Sequence, residues 1–184
     1  MNTTPLNNSE QQALIRLARE SISSAFKRIP PPNYQCMEES VFSQKCGAFV
    51  TLKEGGQLRG CIGRILSSDP LWKTIVEVAR DSAFHDRRFL PLSQEELERV
   101  NIEISVLSVP WKVKDYQEIE IGVHGIIVSH LQHKALFLPQ VPVEQQWDKE
   151  TYLSFCCRKA GLDQLFWKTG KLTIEVFTAF VFSE

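Results

Sequence analysis

The segment Leu58-Arg59-Gly60-Cys61-Ile62-Gly63 places a thiol between two glycines and beside a guanidinium. Glycine weakens the interior of a strand, so a pair of them around one cysteine implies that another group approaches this backbone closely. Read for chemistry, Gly60 and Gly63 open room for a ligand, and N–H groups around Cys61 receive an anion or oxyanion. Arg59 then supplies positive charge that favours a thiolate. Read for structure alone, Cys61 is a small buried hydrophobe and the glycines let a helix pack tightly over the strand. A cysteine nucleophile also needs a base, and the chain offers His85, His124, His130 and His133. His85 lies on Phe84 to Leu92, a predicted loop that also carries Asp86, Arg87, Arg88 and Phe89. The doubled arginine there is suited to bidentate binding of a phosphate or carboxylate, and equally to an ion pair with Asp86. His124 precedes Gly125 at the start of a predicted strand, where it lines a pocket or satisfies a turn. His130 and His133 fall at a hairpin end without a third ligand at zinc spacing, and no phosphate-loop pattern follows Gly55-Gly56. Neither a metal nor a cofactor is expected.

Periodicity supplies the elements that must hold these residues. Ser9 with Gln12 has the form of a capping box, and Leu14, Leu17, Ala18, Ile22 and Phe26 follow at helical spacing until Pro30-Pro31-Pro32. Ala48 to Leu52 and Leu58 to Ile65 read as strands joined by Glu54-Gly55-Gly56-Gln57, which places Cys61 on the second strand. Ser67-Ser68-Asp69-Pro70 opens a helix whose first turn takes the proline, with Leu71, Ile75, Val78, Ala79 and Ser82 on one face to about Phe84. Ser93 with Glu96 starts a short turn, and Val100, Ile102, Ile104 and Val106 alternate as a half-buried strand. A similar order follows: strands near Gly125 to His130 and Lys134 to Leu138, a helix from about Asp148 to Ala160 ended by Gly161, and a final strand over Leu172 to Phe182. In that helix Cys156 and Cys157 diverge by about 100° around the axis, so one is expected in the core and the other outside it.

The fold expected is therefore α+β, a pseudo-duplicated hairpin-helix-strand core. One domain over 13–184 follows a flexible, polar 1–12. With 184 residues and 43% hydrophobic content the chain is long enough to bury a core, and a formal net charge of -1 provides no field for nucleic-acid backbones. Five cysteines without paired spacing suit reduced thiols, and no apolar run reaches membrane-spanning length, so a cytoplasmic place, or a nuclear one in a eukaryote, is expected. Trp72, Trp111, Trp147 and Trp167 are scattered and suit packing better than base stacking.

Taken in order, several segments resemble the AMMECR-type domain family, called AmmeMemoRadiSam system protein A in its prokaryotic members. They are Leu58 to Gly63, Arg88-Phe89 with Pro91-Leu92, Ser105-Val106-Leu107-Ser108, His124-Gly125, Leu138-Pro139-Gln140-Val141, Trp147-Asp148 and Lys159-Ala160-Gly161. The resemblance runs from about Ala13 to Phe182. It implies an α+β fold with a larger and a smaller lobe and a pocket near Arg59 to Gly63, and it supplies no established reaction. It also implies Memo-like and radical-SAM proteins as partners. The chain departs from the family pattern at Arg64, where Thr is common, and at Arg87 and Leu90, where prolines are usual. From residues and resemblance together, the expectation is a binding or adaptor module whose ligand or partner cleft lies at Leu58 to Gly63, taking a small molecule or peptide through Arg59, Gly60, Gly63, Arg88, Phe89 and His124. The alternative is a thiol-dependent enzyme using Cys61, with His85 as the candidate base.

Overall fold

Two glycines with positive φ, Gly55 at 58° and Gly56 at 80°, close the hairpin that carries the segment of interest. Both central residues of such a tight turn need the left-handed region, which glycine enters without a Cβ clash. The turn joins strand β1 (Ala48–Glu54) to β2 (Gln57–Arg64) in a computed structural model that describes residues 6–33 and 41–184. Helix α2 (Leu71–Phe84), the single-turn α3 (Gln94–Leu97) and strand β3 (Asn101–Leu107) follow. Helix α1 (Asn8–Phe26) precedes them. A second series contains β4 (Trp111–Lys112), β5 (Gly125–His130), β6 (His133–Phe137), α4 (Gln140–Glu144), α5 (Lys149–Lys159) and β7 (Thr173–Phe177), before a last strand β8 (Ala179–Ser183).

The chain divides into two compact units. One holds the described residues up to Leu107 together with Phe180–Glu184, and the other holds Ser108–Ala179. In the first, the sheet order is β2-β1-β3-β8; in the second it is β4-β7-β5-β6. Both repeat the expected pattern, because the first strand of each hairpin pairs with its hairpin partner on one side and with the strand after the main helix on the other. The outer strand beyond it, β8 or β4, comes from the segment that leaves the other unit's last paired strand. The sheets share a second device: the Phe49 ring covers Gly63 directly across the β1–β2 ladder, and the Phe177 ring covers Gly125 across β5–β7. An aromatic laid over a strand glycine replaces the packing the glycine lacks.

In the first unit Ala48, Val50, Leu52, Ile102 and Ile104 form the inner face of the sheet, and Leu14, Leu17, Ala18 and Ile22 of α1 join Leu71, Ile75, Val78 and Ala79 of α2 against it. In the second, Ile126, Val128 and Val176 pack with Tyr152, Leu153, Cys156 and Cys157.

Several boundaries differ from the sequence reading. Helix α1 is capped by Asn7, not Ser9: the Asn7 side chain accepts from the Glu10 N–H and the Glu10 side chain accepts from the Asn7 N–H. Asn7 and Glu10 stand two positions before Ser9 and Gln12 respectively in the same polar run, and the earlier start brings Leu6 into the core at 5% exposure. Of the expected flexible 1–12, residues 8–12 are thus helical, and 1–5 lie outside the described residues. Pro70 is the cap of α2 and Leu71 its first residue, since Pro70 has an extended ψ of 149°. The single strand expected over Leu172 to Phe182 is two, in different sheets, parted at Thr178. There the Thr178 N–H donates to Ser108 Oγ and the Ser108 N–H donates to the Thr178 carbonyl, which takes that residue out of either ladder. Strand β4 and helix α4 had no periodic signal, being too short to carry one. Cys156 and Cys157 are both fully buried, because α5 has the sheet on one side and the turn Phe166–Thr169 on another. Burial pushes the Cys156 thiol up to about 12, which makes it inert as a nucleophile at neutral pH. Among the described residues no helix is long and apolar enough to cross a membrane.

Candidate functional site

Cys61 lies on β2, an edge strand, and the loop after α2 closes over that edge at this residue. The Cys61 N–H donates to Asp86 Oδ2 at 2.9 Å, and its carbonyl accepts from Arg88 Nη2 at 3.2 Å. Arg88 in turn grips both Asp86 oxygens, Nε to Oδ1 at 2.9 Å and Nη2 to Oδ2 at 2.7 Å. A carboxylate and a guanidinium therefore occupy the donor and acceptor that a neighbouring strand would use. The Asp86 side chain is only 4% exposed, and the Arg88 guanidinium, together with the Cys61 and Arg88 N–H groups, holds its carboxyl far below the usual carboxylate range.

The helix reaches the same strand from its face. Ser82, completely enclosed on α2, accepts from the Ile62 N–H at 2.8 Å and donates to the Val50 carbonyl at 2.7 Å, so its hydroxyl bridges β2 and β1. A Cβ at position 60 would overlap the Ser82 carbonyl oxygen. Gly60 is what allows α2 to come this close. The sequence reading that Gly60 and Gly63 open room for a ligand is thus corrected: Ser82 fills the space at Gly60, and Phe49 fills it at Gly63. The N–H groups of Cys61 and Ile62, expected to receive an anion, already have internal acceptors.

The thiol is partly exposed and accepts from Thr51 Oγ1 at 3.3 Å. Arg59 does not lie free to serve it, because Glu96 takes its Nε at 2.8 Å and its Nη2 at 3.0 Å. His85 ends α2 with Nδ1 on Asp81 Oδ1 at 2.8 Å and a side chain 70% exposed, and among the described residues no histidine hydrogen-bonds the thiol. The Phe89 ring lies near both motif arginines, its centroid 6.0 Å from the Arg59 guanidinium carbon and 5.5 Å from that of Arg88. Beyond it Leu90 is 83% exposed, and Leu58 is exposed at the start of β2. The structure therefore assembles Arg59, Gly60, Cys61, Arg88 and Phe89 in one place, with His85 engaged elsewhere on α2. His124 belongs to the other unit. Its Nδ1 accepts from the Glu120 N–H at 3.0 Å, and its ring meets Trp111 edge-on at 5.4 Å. His130 Nδ1 faces the Lys171 carbonyl and His133 Nδ1 the Ala160 carbonyl. Among the described residues no group of three His, Cys, Asp or Glu side chains is placed to hold a metal ion.

Ser82, Thr51 and Glu96 are the site residues that motif reasoning missed. Ser82 left one signal: a hydroxyl in an otherwise apolar helical stripe must find a buried partner.

Arg59 and the Ser93 N–H hold the Glu96 carboxyl down to about 2. Against an unfolded value of about 4.3 this contribution to stability is fully present above that pH and is lost as pH falls through about 2. Acid titration of unfolding should therefore have a shallower slope in that window for Glu96→Gln than for the parent. Parallel slopes would show that the pair adds nothing.

Comparison with known proteins gives a consistent picture. The sequence model of the family AMMECR1 matches residues 15–182. Protein MK0488 of Methanopyrus kandleri is 42% identical over 193 residues, covering 97% of this chain and 90% of that one. Protein NEQ441 of Nanoarchaeum equitans is 37% identical over 180 residues, covering 93% and 98%. The crystal structure of the uncharacterized protein PH0010 from Pyrococcus horikoshii matches with a TM-score of 0.83 at 36% identity, covering 94% of this chain and 90% of that chain.

Proposed function

The chain belongs to the AMMECR1 family, and from that premise we propose that it is a binding module, with Cys61 a structural part of a recognition surface and not its nucleophile. The observation that carries this reading is the internal saturation of the site: the Cys61 N–H and carbonyl, Arg59 and Asp86 all have protein partners. A nucleophile needs a base within reach, and His85, the histidine of the unit that holds Cys61, is committed to Asp81. What the saturated site presents outward is a pinned loop with exposed Leu90 and Arg87, beside Leu58 and the arginine-flanked Phe89. A loop fixed before binding loses little entropy on docking, and an exposed leucine beside Arg87, which has no ion-pair partner among the described residues, suits an acidic partner segment with an apolar anchor.

The occupants proposed are the Memo-like and radical-SAM proteins that the family resemblance implies. Calorimetric titration with the purified Memo-like and radical-SAM proteins of the same organism tests this. Binding of one or both should weaken at least about tenfold, roughly 1.4 kcal/mol, in Leu90→Asp and persist in Cys61→Ala. Failure of both proteins to bind, or loss of binding in Cys61→Ala with Leu90→Asp unaffected, would overturn the reading. The thiol-enzyme alternative draws on one contact, the Thr51 hydroxyl donating to Cys61 Sγ.

A further inference from the structure

Helix α2 presents a second chemistry on a face that the Cys61 site does not use. Glu77, Arg80, Asp81 and Phe84 recur at spacings of three and four, so they share one side of the helix. With Arg64 from the end of β2 and His85 they line an open hollow of about 490 Å3, a size suited to a small molecule. The formal charges in it balance, two guanidinium groups against two carboxylates, but they are unevenly paired. Glu77 is taken by Arg64 and Asp81 by His85 Nδ1. Arg80 is left over: it is half-buried, and no hydrogen bond, ion pair or ring contact engages it among the described residues. It also lines an adjoining hollow of about 390 Å3 with Trp72.

A planar cation with five N–H donors, held part-way out of water and without an ion-pair partner among the described residues, is a ready partner for an oxyanion that accepts two parallel hydrogen bonds. Phe84 supplies an apolar wall whose position is fixed by an edge-on contact with Phe26 at 5.3 Å. Glu77 is neutralised by Arg64 and so repels an incoming anion less than a free carboxylate would, while Asp81 is hydrogen-bonded to His85 Nδ1. His85, with Nδ1 on Asp81, keeps Nε2 available as a further hydrogen-bonding group.

We propose that this hollow binds a small ligand with a flat apolar body and one terminal oxyanion, the oxyanion on Arg80 and the body against Phe84. The oxyanion is a phosphate monoester or a carboxylate, two sources of the same bidentate chemistry. The site is independent of the surface around Cys61.

Titration of the isotopically labelled full chain with phenyl phosphate and with benzoate, followed by amide chemical shifts, tests the proposal and separates the two sources. Saturable shifts should map to residues 77–85 for at least one probe. The dissociation constant should rise about tenfold or more, about 1.4 kcal/mol, in Arg80→Gln, less in Arg80→Lys, and stay unchanged in Cys61→Ala. Because Arg80 has no side-chain partner among the described residues, Arg80→Gln should keep the parental unfolding midpoint, which is checked on the same samples. The proposal is overturned if neither probe gives saturable shifts, if the shifts map elsewhere, or if folded Arg80→Gln binds as tightly as the parent. Loss of Memo-like protein binding in Leu90→Asp with probe binding intact would leave the two sites separately established.

Discussion

Gly60→Val is expected to destabilise the first unit by about 3 kcal/mol, at the upper end of overpacking costs, although valine is a strong strand former and glycine a poor one. Propensity alone gives the opposite sign. The geometry decides against it, because the first side-chain atom at position 60 collides with the Ser82 carbonyl oxygen, a backbone atom in the last turn of α2 that has no rotamer to change. Either the helix withdraws or the strand bends. Withdrawal also breaks the Ser82 hydroxyl bridge to Ile62 and Val50, leaving buried polar groups unpaired. Urea unfolding measures the effect, with Leu58→Val on the exposed start of the same strand as a near-neutral control. Equal midpoints for Gly60→Val and the parent would mean that the helix does not press on β2 as described.

Asp86→Ala should cost about 2–3 kcal/mol, the range for losing hydrogen bonds to a charged group with a donor left behind. It removes the acceptor of the Cys61 N–H and the carboxylate that orients Arg88, so both caps of the β2 edge are lost together. Asp86→Asn keeps an acceptor but not the charge and should fall between. Since the folded carboxyl lies far below its ordinary value, the contribution is fully present above about pH 4 and disappears only as pH falls through the lower folded value. A freed strand edge also pairs with other chains, so Asp86→Ala should self-associate with rising concentration in sedimentation experiments where the parent does not. A folded, monomeric Asp86→Ala of parental stability would remove the edge-capping role from this pair.

Much of the fold was legible. The alternation of Ala48, Val50 and Leu52, the Gly55-Gly56 turn, the Ser93–Glu96 capping box and the Asp148 to Gly161 helix each carry a local physical signal, and each element stands where that signal places it. The errors cluster where competing local signals coexist, as with Asn7–Glu10 and Ser9–Gln12. They also occur where an element is too short for a period, as with β4 and α4.

By itself the sequence determined that a close approach to the backbone occurs at Gly60, since two glycines in a strand need a reason, and that Cys61, Arg88 and Phe89 belong to one motif set. It also determined the repeated hairpin-helix-strand order, because periodicity and turn chemistry act over a few residues. Only the tertiary structure decided what makes the approach and with what consequence. Ser82 and Asp86 lie 22 and 26 positions along the chain from Gly60, and whether a glycine faces a ligand or a helix carbonyl depends on which distant atoms arrive there. The same holds for charge. Arg59, Arg88 and Arg80 are equivalent guanidinium groups in the sequence, and packing alone gives the first two a carboxylate each and leaves the third without one among the described residues.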